Sequence, residues 1–205
     1  MDAMRREDIV RTLGRMAALM EEHAQHLTDL DAAMGDGDLG LTMPRGFRAA
    51  YDEVAGSDES DVGKILMKAG MAMARAAPST MGTLIATGFM RGGRAVAGTS
   101  VLTVSGLAAF FRAFVEGIMD RGKAQPGDKT IVDVLQPAAD ALARAADAAL
   151  EAALAEALVA AEAGLEATKA MVARHGRGAY YGERSLGKQD PGGTVGVLIL
   201  KGFVG

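Results

Sequence analysis

At 205 residues, with 49% hydrophobic and 23% charged side chains, the chain is long enough to bury a core and too apolar for wholesale disorder. Its net charge of −4 offers nucleic acid no basic face, and the absence of cysteine excludes disulfide scaffolds, thiolate zinc sites and thiol nucleophiles. Only His23, His26 and His175 are available for imidazole chemistry; neither the charged start MDAMRRED nor any later stretch supplies about 18 apolar residues, so a single cytoplasmic domain over 1–205 without a membrane segment is expected.

The first element has the clearest period. Ile9, Leu13, Met16, Met20, His23, Leu27 and Leu30 are spaced alternately four and three apart, which predicts one amphipathic helix with His23 half-buried in its stripe. Pro44 marks a break, followed by a short helix to about Val54. Val62, Ile65, Leu66, Ala69 and Met73 predict a helix that stops before Pro78, and another covers Thr80 to Val96. Leu107, Phe110, Phe111, Phe114 and Ile118 mark the next. From Thr130 to Val172 the chain is rich in Ala, Leu and Glu, which predicts two helices folded back on each other near Leu150. Thr194 to Leu200 has the β-branched content of a strand but no partner strand, so it is assigned as helix. Many of the 27 glycines cluster between helices, at 35–40, 122–127, 176–187 and 192–196, which places the chemistry in those loops.

In the first loop Asp31, Asp36 and Asp38 stand in a D-x4-D-x-D arrangement on a glycine-rich turn. Carboxylates this close repel unless a cation lies between them, and an all-oxygen set favours Mg²⁺ or Ca²⁺. An EF-hand is excluded because the place of its closing Glu falls near Met43. Spacing alone leaves open both a metal site and a plain turn with Asp38 capping the next helix. The second loop, around Ser79 and Thr80, opens a helix and suits an N-cap or an anion site. The third, from Gly122 to Thr130, offers Asp128 and Thr130 as caps and Lys123 and Lys129 as phosphate contacts or solvated lysines. The fourth holds Arg174, Arg177 and Arg184 with Tyr180 and Tyr181, which suits an anionic ligand with an aromatic base, or a helix end with dipole-compensating cations.

Together the stretches LDAAMGDGDLGLTMPRGF, MGTLIATGFMRGG, GKAQPGDKTIVDVLQPAADAL and GRGAYYGERSLGKQDPGG, in this order from Leu30 to Gly193, resemble the nucleotide-binding L subunit of dihydroxyacetone kinases. The resemblance implies an all-α fold, a closed barrel of about eight antiparallel amphipathic helices with the nucleotide in the loops at one rim. It implies two Mg²⁺ ions on Asp31, Asp36 and Asp38, with ADP or ATP contacted by Leu39, Gly40, Leu41 and Thr42. Further contacts fall on Ser79, Thr80, Met81 and Gly82, on Gly122 and Ile131, on Arg177, and on Asp190, Pro191 and Gly192. The three aspartates and Arg177 would be the catalytic apparatus, since phosphoryl transfer depends mainly on positioning and charge neutralisation.

The implied partners are a K-type subunit that holds the ketose covalently and, in phosphotransferase-system versions, a phosphohistidine carrier protein that recharges resident ADP; a homodimer is compatible. Two positions depart from the family pattern. Leu39 stands where GDGDHG has its histidine, and Met81 where the second loop has a phosphate-binding serine. Both point to a divergent branch acting on another ketose or hydroxyketone. The alternative is a non-catalytic paralogue that keeps the nucleotide site as a regulatory or scaffold subunit.

Overall fold

A computed structural model describes residues 3–205. Its helices are α1 (Arg6–Glu22), α2 (Ala24–Ala32), α3 (Leu39–Ala55), α4 (Val62–Ala76), α5 (Thr80–Ala95), α6 (Val104–Gly122), α7 (Val132–Arg144), α8 (Leu150–Ala167) and α9 (Pro191–Val204). Two 3₁₀ segments, Thr168–Ala170 and Arg177–Ser185, lie between α8 and α9. No strand occurs among the described residues; Met4 and Leu102 form one isolated antiparallel bridge.

Contacts run from α1 to α3, α3 to α4, and onward in sequence to α9, which packs back on α1. With α1 and α2 as one bent member, the ring has eight members, an even number that lets every neighbour run antiparallel, as expected. Successive connections therefore alternate between two rims. The segments 33–38, 77–79, 123–131 and 168–190 all fall on one of them, and these are the chemistry-bearing loops.

The barrel is filled by six buried phenylalanines from four helices: Phe47, Phe89, Phe110, Phe111, Phe114 and Phe203. Their rings interlock at centroid separations of 5.2 to 6.3 Å, mostly edge-on or tilted, as the aromatic quadrupole favours. α9 touches α1, α2, α7 and α8, so its residues from Gly192 to Leu200 are buried on every side. This explains why a helix here reads as a β-branched run: an element buried all round has no polar face to reveal its period.

Two boundaries differ from the periodicity. The first helix is broken at His23, whose ψ of 11° leaves the helical range while its N–H still bonds to the Leu19 carbonyl. The amphipathic stripe runs through unchanged because α2 is a bent continuation of α1. Pro44 does not break the chain either. It lies inside α3, which already begins at Leu39. A proline in the second turn removes one hydrogen bond, to the Gly40 carbonyl, and α3 retains the rest.

Candidate functional site

The chemistry-bearing rim holds a cleft of about 1140 Å³. On its first wall stand Asp31, at the end of α2, and Asp36 and Asp38 on the turn before α3. The turn needs Gly37, which sits at φ 76°. One carboxylate oxygen from each aspartate lies within 4.8 Å of the others. Asp38 occupies the cap position of α3 but makes no capping bond; Asp31 Oδ2 instead accepts from the Leu39 N–H at 3.3 Å. The capped-turn reading of Asp38 therefore fails. Burial, then the charges of Asp36 and Asp31, push the Asp38 carboxyl above its usual range, with Arg177 opposing. Three acidic groups held together in this way are a donor set that fits a hard divalent cation.

Arg177 reaches this cluster from the far side of the rim, with its guanidinium 2.6 Å from Asp36 Oδ2. It opens the second 3₁₀ segment directly after Gly176 at φ 61°. Arg184 is stacked 5.3 Å above the Tyr181 ring. The floor of the cleft includes two helix starts. Ser79 caps α5 by accepting from the Gly82 N–H at 3.1 Å, and Asp190 caps α9 by accepting from the Gly193 N–H. Asp190 is buried, and burial pushes its carboxyl up to about 7, against the Gly193 hydrogen bond and the Lys129 charge.

Of the residues assigned from sequence, Asp31, Asp36, Asp38, Leu39, Ser79, Thr80, Met81, Gly122, Ile131, Arg177, Asp190, Pro191 and Gly192 line the cleft. Gly40, Leu41, Thr42 and Gly82 are not among the residues that line it. Gly40 is pressed on the Ala24 carbonyl, and Gly82 on that of Ala77. Leu41 is 69% exposed, and Thr42 Oγ1 is buried with no hydrogen-bond partner among the described residues.

The third loop works differently from its sequence. Neither Asp128 nor Lys129 serves as expected. Asp128 leaves α7 uncapped and turns to the fourth loop, accepting from the Gln125 N–H at 2.8 Å and pairing with His175 Nε2 at 3.0 Å. The Gln125 bond and His175 hold its carboxyl below the usual range. Asp133 does the holding of the turn, accepting from the Thr130 and Gly127 N–H groups. Thr130 Oγ1 accepts from Val132 N–H at 3.2 Å. Lys129 is buried, far from a solvated lysine. Lys123 ends α6 in the left-handed conformation. His175 lines the cleft too; it stands directly before Gly176 and Arg177 in the fourth loop, but the sequence reading gave it no role there. Asp133, three residues after Thr130, did carry a capping-box signal.

Residues 33–205 match the DAK2 domain. Over 201 residues the chain is 37% identical to an Escherichia coli protein named PEP-dependent dihydroxyacetone kinase, ADP-binding subunit DhaL, a match covering 97% of this chain and 96% of that one. This chain belongs to the DAK2 domain family. A Listeria innocua protein named as the same kind of subunit is 34% identical over 191 residues, covering 93% of this chain and 91% of its own. L-erythrulose 1-kinase of Mycolicibacterium smegmatis is 32% identical over 196 residues, and the chain spans 34% of its length. The fold of this DAK2 domain also matches the crystal structure of the dihydroxyacetone kinase from C. freundii in complex with AMP-PNP and Mg²⁺. That match has a TM-score of 0.72 at 24% identity and covers 95% of this chain and 33% of that one.

Proposed function

We propose that this chain is the nucleotide-binding, phosphoryl-donor subunit of a small-ketose kinase of the dihydroxyacetone type, acting on a substrate held by a separate K-type subunit in the cytoplasm. The observation that carries the reading is the convergence of Asp31, Asp36, Asp38 and Arg177 on a cleft floored by the starts of α5 and α9. A cluster of anions facing a cation and two helix N-termini suits a polyphosphate bridged by divalent metal.

In this reading Asp31, Asp36 and Asp38 would hold Mg²⁺, two ions by family resemblance, which would supply positive charge for the phosphate oxygens. Arg177, beside Asp36, would offer a planar fork to two phosphate oxygens at once. Exposed N–H groups at the start of α5 orient the phosphate chain, and the apolar side chains of Leu84, Ile118 and Ile131 exclude water beside it. The subunit-length relatives from E. coli and L. innocua carry PEP-dependent in their names, which favours resident ADP recharged by a phosphohistidine carrier over ATP as the donor. Leu39 and Met81 place apolar groups in the cleft where the family has histidine and serine, and we assign the choice of ketose or donor to that change.

A coupled assay tests this reading. The purified chain should bind ADP with Mg²⁺ yet yield no sugar phosphate until a K-type subunit is added. Turnover by the isolated chain would overturn the split-kinase reading. Nucleotide binding without turnover beside every K-type partner and donor would instead favour the regulatory paralogue.

A further inference from the structure

Lys129 is 2% exposed and sits in the left-handed region at φ 60°, two unfavourable circumstances for a lysine. Its ammonium has no carboxylate within salt-bridge distance among the described residues. It is surrounded instead by backbone carbonyls, those of Thr168 at 2.7 Å, Ser185 at 2.8 Å, Lys188 at 2.5 Å and Met171 at 3.3 Å. Burial pushes its pKa down, against the charge of Asp190, and the carbonyl dipoles stand in for the lost water.

The four carbonyls are not scattered. Thr168 and Met171 stand where the fourth loop leaves α8, and Ser185 and Lys188 stand where it returns to α9. One ammonium thus closes both feet of an arm that carries Arg177 at its centre and leads into Asp190. Packing alone does not hold this arm. Between residues 172 and 188 only Ala173 and Ser185 are buried, and Tyr180 is 87% exposed. Two further anchors on its first half, the Arg174 N–H on the Asp128 carbonyl and His175 on the Asp128 carboxylate, come from the residue next to Lys129. One turn thus supplies the ammonium and these two anchors, beside the Ala173–Ser185 and Gly187–Lys169 bonds within the arm and its contacts to the first loop through Arg177–Asp36 and Lys188–Ala33.

The geometry points to Lys129 as a positioning residue, a tethered cation in a carbonyl cage that holds the Arg177 arm in its ligand-facing form. The inference rests on the nucleotide-binding reading above for its consequence, but the cage can be tested without it. A carbonyl cage is also the coordination chemistry of a free monovalent cation, so truncating the lysine leaves a site that ammonium ion can refill.

The test uses the full chain with Lys129→Met, which keeps the volume, and Lys129→Ala, which empties the cage. Amide hydrogen exchange over 172–188 is read first, without nucleotide, then ADP affinity with Mg²⁺ well below the melting temperature. Both variants should keep their helical circular dichroism and lose arm protection by about tenfold or more. Affinity for ADP should fall by about ten- to a hundredfold, the scale of a misplaced contact group. Ammonium chloride should restore protection and affinity in the Ala variant, while tetramethylammonium chloride at equal ionic strength should not. Unchanged arm exchange in either folded variant, no distinction between the two salts, or loss of the helical fold in both would overturn the proposal. If the wild type binds no ADP, the functional reading fails, and the exchange experiment still decides the cage.

Discussion

Gly40→Ala tests whether the junction of α2 and α3 sets the aspartate geometry. A Cβ on Gly40 would lie 2.0 Å from the Ala24 carbonyl oxygen and 2.2 Å from Thr28 Oγ1. The hydroxyl can rotate away, but the carbonyl belongs to the backbone of α2 and cannot. Restoring ordinary contact requires the two helices to separate by about 1 Å or more, and overpacking of this kind costs about 1–3 kcal/mol. In a chain of this size that corresponds to a melting temperature lower by about 2–12 °C. Asp31 rides on α2 and Asp36 and Asp38 lead directly into α3, so the same shift pulls the carboxylates apart. Mg-dependent ADP affinity should fall by about tenfold or more, since 1 Å displacements carry costs of that order. Gly56→Ala is the matched control: it sits at φ −85° on the opposite rim with only the Asp52 carbonyl nearby, at 3.8 Å, and should stay close to wild type. Thermal unfolding and calorimetric titration measure both effects. A Gly40→Ala protein with wild-type melting and wild-type affinity would refute the reasoning.

Arg177→Lys should weaken ADP binding by about 1–3 kcal/mol, the scale of a charged hydrogen bond, while barely moving the melting temperature, because its pair with Asp36 is well exposed. Arg184→Lys should show the reverse, a small loss of thermal stability from the weakened stack on Tyr181 and unchanged affinity; measuring both quantities for both variants checks the assignment. Burial pushes the Asp190 carboxyl up to about 7 in the folded protein, above the usual carboxylate range, so its contribution to stability is full below the unfolded pKa and is lost as pH rises through about 7. Stability of the ligand-free protein should fall across that window, and Asp190→Asn, which still accepts the capping bond, should flatten the slope in denaturant titrations at several pH values.

Much of this architecture was legible in the residues because helix period and glycine clustering are local signals. The helix from Val62 is placed where the apolar spacing put it, the one from Thr80 follows the stop at Pro78, the break in the Ala- and Leu-rich stretch falls just before Leu150, and the D-x4-D-x-D spacing brought three carboxylates together without knowledge of the fold. What stayed hidden depends on distant partners. Pro44 reads as a stop in any local window, yet the packing of Gly40 on Ala24 starts the helix a turn earlier. Lys129 reads as a surface lysine because its four carbonyls lie 39 to 59 residues away in the chain. Asp128 reads as a cap for the same reason: His175 and Arg174 draw it to the fourth loop instead.

The most direct test of the central claim is calorimetric titration of ADP, with and without Mg²⁺, into the wild type, Asp36→Asn and Asp38→Asn. Each substitution removes one anion from the cluster while the helices that carry it remain. The account expects binding by the wild type only with Mg²⁺ present, and none by either variant at comparable concentrations although both keep their helical circular dichroism. Equal, metal-independent affinity in all three proteins would contradict it.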